Sequence, residues 1–498
     1  MSRALTPEGR RREMGSNARL DHFAACLWAR LALSVLLGIS GGCAMGPDYV
    51  PPQISAPQAW HAQLRGGATA EQMDPQTLAG WWMTLNDPTL TGLIERAVRG
   101  NLDLKKARAA VREARARRGK SQAGLFPTVD GKGSATSSRS SRDTGMGESQ
   151  NLYSVGFDAS WELDVFGGVR RSIEAAEADL QASSEELRNT LVSLLAELAL
   201  NYVEVRTYQA RLSVAEANLA AQAETCELTT MRVEAGLATQ LDAEQARYNL
   251  ESTRSQIPSL RSGLEEAKNG LAVLLGEPPG AVQAELEERR PIPVASLEVA
   301  VGVPAEVLRR RPDVRQAERK LAAETARVGV ATAELYPKFS LLGSIGLEAL
   351  SLSNVVSAAS RTYSLGPSVT WRLFDAGAVR KNIEAQSAVQ EQALVKYEAT
   401  VLTALQEVEN ALVAYAEEQN RRQSLREATE AARRAVSLAQ VQYRAGMIDF
   451  RSVLDAQRSL LSFQDELAKS EGNVTSNLVR LYKALGGGWT PLAAGEAG

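Results

Sequence analysis

The side chains that most often ligate metals or act as nucleophiles are scarce in this 498-residue chain: two histidines, His22 and His61, and three cysteines, Cys26, Cys43 and Cys226. The histidines lie far from one another in sequence, so a histidine metal centre or a histidine-based triad is not expected. Gly131-Lys132-Gly133 is a lone glycine pair inside an alternating stretch, it opens no helix, and no Walker motif or metal-ligand spacing occurs. Carboxylates are plentiful, but they fall on helical faces where solvation is their ordinary state. The expectation is no enzyme, no catalytic residue, no metal and no cofactor. What remains are residues that anchor, line or bend: a cysteine closing an apolar run, aromatics at strand ends, and glycines at helix breaks.

The cysteine comes first. Arg30 followed by LALSVLLGISGG, residues 31–42, reads as a charged region and an apolar core too short for a stable transmembrane helix. It ends at Gly41-Gly42-Cys43, which resembles the lipobox of bacterial lipoproteins, although Ser40 stands where leucine is usual. Cys43 is therefore expected to become the acylated mature amino terminus, and residues 1–42 a signal peptide, with Met14 as an alternative start. Ala44 is not the aspartate of the inner-membrane retention rule, which points to the outer membrane. Removing residues 1–42, with six arginines against three acids, takes the formal charge from −3 to −6. That balance argues against a nucleic-acid surface. Cys226 would then have no disulfide partner. Nothing after residue 43 supplies eighteen consecutive apolar residues, so a membrane crossing by the mature chain must use β-strands.

The stretch LYSVGFDASWELDVF, residues 152–166, has that pattern. Tyr153, Val155, Phe157, Ala159, Trp161, Leu163 and Val165 share one parity, and Ser154, Gly156, Asp158, Ser160, Glu162 and Asp164 the other. A strand of this kind has one apolar face and one small or acidic face. A soluble sheet over a core would also alternate, but Tyr153 and Trp161 lie roughly 26 Å apart along a strand, the spacing of two interfacial aromatic girdles. Residues 363–373, YSLGPSVTWRL, repeat the pattern with Tyr363 and Trp371 at the ends. The offset of 210 residues also relates Leu125-Phe126-Pro127 to Leu335-Tyr336-Pro337, Arg170 to Arg380, Gly236 to Gly446 and Leu275-Gly276 to Leu485-Gly486. A constant offset through separate landmarks marks an internal duplication.

The chain then divides into a lipidated extended tether (43–88), a first repeat (89–280), an irregular linker (281–303), a second repeat (304–488) and a tail (489–498). Each repeat reads as a helix, a β-hairpin, a very long helix and a second helix. The first hairpin has a polar tip at 137–150, the second a tip near 348–361. Between 169 and 235 no proline or glycine intervenes, and Leu180, Leu187, Leu191, Leu194, Leu198, Tyr202, Val205, Leu212 and Leu219 follow three- and four-residue steps. Such a coiled-coil helix is roughly 100 Å long at 1.5 Å per residue. Helices over 239–275, 304–333, 378–443 and 450–485 complete the pattern, with a kink expected at Pro258.

Two hairpins give four strands per chain, whereas closed outer-membrane barrels need at least eight because an open edge leaves backbone groups unsatisfied in lipid. The barrel must be shared between chains, and dimer, trimer and tetramer all satisfy that condition. The apolar parity is expected to face lipid and the parity with Asp158, Glu162 and Asp164 a water-filled lumen.

Cys43, Gly46-Pro47-Asp48-Tyr49, Trp81-Trp82, Leu125-Phe126-Pro127, Trp161-Glu162-Leu163-Asp164 with Gly167, Gln256-Ile257-Pro258, Leu274-Leu275-Gly276, Arg310-Arg311-Pro312-Asp313-Val314, Tyr336-Pro337 and Tyr443-Arg444-Ala445-Gly446 together resemble the outer membrane factor family. These are the TolC-like exit ducts of tripartite efflux pumps, and the likeness is strongest to the lipoprotein branch that works with RND transporters. The resemblance covers nearly the whole mature chain. It implies a mostly helical fold with a membrane β-barrel portion: a homotrimer, a twelve-stranded barrel, and a twelve-helix periplasmic tunnel working with an adaptor and an inner-membrane transporter. It implies a periplasmic gate at Asp455, within Leu454-Asp455-Ala456-Gln457-Arg458, where three copies on an axis would attract cations. The position of a second acidic ring holds Ser452. It also implies that Gly236 and Gly446, with Tyr443 and Arg444 beside the latter, form tips that meet the adaptor. A type I protein-secretion duct is the alternative within this class. A structural coiled-coil lipoprotein without a pore is the alternative outside it, and it does not explain the lipid-facing parity. An adaptor would show one helical hairpin and soluble β-domains instead of two copies of strand pair plus helices.

Overall fold

The computed structural model describes residues 44–53, 56–71, 74–143, 147–294 and 299–489. The expected signal peptide and Cys43 lie outside these residues. In chain order the strands are β1 (Ala68–Thr69), β2 (Thr128–Arg139), β3 (Ser149–Leu163), β4 (Val299–Ala300), β5 (Lys338–Ala349) and β6 (Arg361–Thr370). The α-helices are α1 (Pro75–Ala79), α2 (Pro88–Gly100), α3 (Leu102–Ala123), α4 (Gly168–Glu234), α5 (Gln240–Leu275), α6 (Pro304–Arg310), α7 (Pro312–Ala333), α8 (Ala378–Arg444) and α9 (Phe450–Ala484). The duplication is explicit: α3 and α7, β2 and β5, and α4 and α8 each repeat with both ends displaced by 210 residues.

The described residues form two compact units, those of 44–50, 116–178 and 322–392 in one, and those of 51–115, 179–321 and 393–489 in the other. The first holds one antiparallel four-stranded sheet in the order β2-β3-β5-β6. Within the chain β2 and β6 each pair on one side only, so the sheet ends in two open edges.

The second unit contains the main apolar core. Leu90, Leu93, Ile94 and Ala97 repeat at helical spacing on α2 and are buried with Leu195, Leu198 and Tyr202 of α4, Leu271 and Leu275 of α5, Tyr415 of α8 and Val479 of α9. Asp87 starts α2 by accepting the amides of Thr89 and Leu90, and Pro88 occupies the position where a missing N–H costs nothing. Asn101 ends α2 and restarts the chain: its carboxamide oxygen accepts the Leu104 amide and its nitrogen donates to Leu274 O.

Several expectations need correction. The tether is not simply extended: α1 and a 3-10 turn at Trp81–Leu85 lie in it, and Trp81 is 1% exposed and stacked on Tyr482 at 5.4 Å. The linker is ordered where it crosses the core, burying Val282 and Leu286 and pairing β4 in parallel with β1. The 304–333 helix is two helices divided at Arg311. Cys226 is half-buried against Phe450, Val453 and Leu454.

Candidate functional site: the membrane sheet, its junctions and the helical tips

The strand register sorts the sheet into two faces. Residues directly opposite one another project to the same side, so Gly131, Phe157, Ile345 and Tyr363 form one row, and Val129, Ala159, Gly343 and Leu365 the next. Trp161, Leu341 and Pro367 continue that face, which is apolar from edge to edge and open, with Phe157 61%, Ile345 65% and Leu365 75% exposed. The other face carries Asp130, Lys132, Ser134, Ser154, Asp158, Ser160, Glu162, Ser340, Ser344, Ser364 and Ser368, with Leu152 and Leu342 as apolar exceptions. Lys132 and Asp158 form an ion pair across it. Hydroxyl pairs repeat at the duplication offset, Ser134 with Ser154 at 2.8 Å and Ser344 with Ser364 at 2.9 Å. An antiparallel sheet resting on a soluble core buries its apolar face; here that face is the exposed one.

Trp161 and Trp371, expected as girdle residues with Tyr153 and Tyr363, also close the junctions between helix and strand. Each indole nitrogen donates to the carbonyl thirty-six residues earlier, Trp161 to Leu125 at 2.9 Å and Trp371 to Leu335 at 3.1 Å. Trp371 lies one residue past β6. Tyr363 is 84% exposed, whereas Tyr153 is half-buried opposite Ala135 and Ala349. Asp164 is a correction: it follows β3 and caps α4, accepting the amides of Val169 and Arg170, so it does not face the lumen from the strand. Asp375 does the corresponding work before α8, accepting the amides of Gly377 and Val379.

The segment after Cys43 docks at the first junction. Met45 N donates to Phe166 O at 3.1 Å, and buried Arg171 donates to Met45 O and Asp48. Gly46 is required there, since a Cβ would lie 2.4 Å from the Cα of Gly329. Arg171 and the Phe166–Tyr336 stack, 4.7 Å between centroids, were not anticipated. The Phe-Gly and Tyr-Pro dipeptides were the visible signal.

In the second unit, Gly236 and Gly446 end α4 and α8 in the left-handed region, at φ +69° and +70°. In both turns the residue after the glycine donates back to the helix, Leu237 to Arg232 O and Met447 to Gln442 O. Thr239 with Asp242, and Asp449 with the Ser452 amide, start the returning helices. The Ser452 hydroxyl and amide bonds hold the Asp449 carboxyl below its usual pKa. Leu237 and Met447, at equivalent positions, are 69% and 66% exposed. Tyr443 stacks under the Arg232 guanidinium at 4.8 Å and near Phe450 at 5.2 Å. Burial raises its phenol pKa against the pull of Arg232. Arg444 is exposed beside it. Asp455 is also exposed but not isolated: Arg451 and Arg458 stand 3.8 Å and 3.5 Å away. Arg458 lies over the Tyr248 ring and donates to Asn249 Oδ1. Arg232 and Tyr248 were missed by the sequence reading, because helical spacing does not reveal which side chains meet between helices; Arg451 and Arg458, four before and three after Asp455 on α9, were within reach of that spacing.

An open-edged sheet with an exposed apolar face and a hydroxyl-lined polar face, joined to helices of 67 residues, defines a membrane duct. The profile of the outer membrane efflux protein family matches residues 93–277 and 303–487, two stretches again 210 residues apart. Nodulation protein T of Rhizobium leguminosarum bv. trifolii is 32% identical over 91% of this chain and 96% of its own length. Toluene efflux pump outer membrane protein TtgI of Pseudomonas putida is 31% identical, covering 90% and 96%. Among solved structures, the outer-membrane channel OprN matches with TM-score 0.85 and 38% identity, covering 90% of this chain and all of that one. The open state of the Neisseria gonorrhoeae MtrE channel matches with TM-score 0.79 and 28% identity, covering 90% and 98%. This chain belongs to the outer membrane efflux protein family. It has the TolC-like fold of outer-membrane, periplasm-spanning channels and serves as the outer-membrane duct of an efflux system, not as an enzyme.

Proposed function

We propose that three copies of this chain close one twelve-stranded barrel. The trimer passively conducts small toxic compounds, delivered by an inner-membrane RND transporter and a periplasmic adaptor, to the exterior. The observation that carries this reading is the sheet: four strands, one apolar face, and two open edges that lipid cannot satisfy. The relatives named for toluene, solvent and antibiotic efflux support small, apolar cargo over secreted protein. Cys43 is the covalent lipid anchor at the mature amino terminus. Gly236, Gly446, Tyr443 and Arg444 form the tips that contact the adaptor, and the exposed Leu237 and Met447 support that assignment. Asp455 is the periplasmic gate, a ring of three carboxylates each flanked by Arg451 and Arg458.

Single-channel conductance in a planar bilayer, for wild type and Asp455→Ala, tests the reading. A small conductance is expected, with selectivity shifted toward anions in the variant because Arg451 and Arg458 are left uncompensated. A conducting wild type whose selectivity ignores the substitution removes the gate from Asp455. Absence of any channel from assembled oligomer refutes the duct.

A further inference from the structure

Between α4 and the turn from α8 to α9 lies a cavity of about 150 Å³. Leu228, Phe450 and Val453 give it apolar walls, and Tyr443 adds a second ring face tilted 48° to Phe450. A cavity of about this volume has room for one benzene-sized ring, and Thr225, Thr229 and Gln440 line it as well. One wall has a different chemistry. Arg232 lines the cavity and its guanidinium lies over Tyr443. The other charged groups at the cavity are Glu224 and Arg444, both exposed, so the charge facing it is net positive.

We propose that this cavity is a binding site for single-ring aromatic carboxylates. The ring lies against Tyr443 and Phe450, and a carboxylate oxygen accepts from the accessible N–H groups of the Arg232 guanidinium. A ligand seated there touches α4, α8 and α9 together beside the Gly446 turn, and so favours the helix packing that contains the cavity. The site does not depend on what the duct exports.

The test uses the purified full chain in detergent with sodium benzoate as probe and toluene as its uncharged counterpart. Binding is followed by saturation-transfer NMR against protein-free micelles. Leu228→Trp fills the cavity from its exposed side, Val453→Met fills it from the buried side should the first variant fail to assemble, and Arg232→Gln removes the charge. Saturable benzoate binding is expected in wild type, lost in the filled variant and weakened at least tenfold by Arg232→Gln, with toluene unaffected by the last change. No saturable benzoate signal from assembled wild type, or equal binding in the filled variant, overturns the site. Benzoate binding indifferent to Arg232→Gln overturns the carboxylate assignment.

Discussion

Ile345 and Ser344 are neighbours in sequence and lie on opposite faces of the membrane sheet, which allows the face assignment to be tested with one side chain placed twice. Arginine at Ile345 joins the row of Gly131, Phe157 and Tyr363 near the middle of the strands. An arginine at the midplane of a barrel's lipid face costs about 2–4 kcal/mol per chain, so about 6–12 kcal/mol for a three-chain barrel. Arginine at Ser344 sacrifices the 2.9 Å hydroxyl contact with Ser364, about 1 kcal/mol, and projects among Ser154, Asp158 and Glu162 into water. Ile345→Arg should therefore abolish the heat-modifiable oligomer in outer-membrane fractions, and Ser344→Arg should leave most of it. Both can be read on one semi-native gel with total protein matched. If Ile345→Arg inserts normally while Ser344→Arg does not, the lipid and lumen faces have been exchanged. If both behave alike, the sheet does not separate lipid from water at all.

Other consequences are equally measurable. Arg311 is buried with a bidentate pair to Asp313, a contact to Glu407 at 2.6 Å and a bond to Ala484 O. Burial opposes its charge, but Asp313 and Glu407 outweigh burial and hold its pKa above the usual value. Because both carboxylates can rehydrate, Arg311→Met should cost about 2 kcal/mol, less than a fully buried pair; amide exchange near Ala484 should quicken about thirty-fold, while Arg311→Lys should fall between. Trp161→Phe and Trp371→Phe each remove one indole-to-carbonyl bond at separate junctions, so thermal destabilisation of about 1 kcal/mol each should add in the double variant. Burial alone would raise the Asp465 pKa, but bonds from Arg211 and Lys469 more than reverse it, leaving it depressed. Its stabilising contribution is full above the ordinary carboxylate pKa and lost as pH falls through the lower folded value. Asp465→Asn should therefore be less stable near neutrality and show a flatter acid limb in an unfolding series.

The long elements were legible because their signals are long. A 210-residue offset, an uninterrupted 67-residue helical period and a fifteen-residue alternating strand each average over many side chains. Gly236 and Gly446 were legible because a helix reversal requires a residue that tolerates positive φ. The failures are local. Asp164 continues the acidic parity of β3, but a carboxylate just before a helix satisfies free amides better than it lines a strand. The tether and linker were read from prolines as irregular, while their tryptophan and valines supply core contacts that only the tertiary fold supplies. At the helical tips, Asp455 and Tyr443 could be located, but their arginine partners come from residues three or four away on one helix or from another helix altogether.

The docked segment from Met45 to Asp48 bears on the order in which the molecule is completed. It emerges early during synthesis, yet its seat includes Gly329, which enters only after more than half the chain has followed. Full docking of this segment is thus a late event that requires α7 of the second repeat. A chain that stops after the first repeat keeps Phe166 and Arg171 but has no surface to hold Gly46 against. The Met45–Asp48 segment thus ties the two repeats together, its hydrogen bonds made to the first and its closest backbone approach to the second.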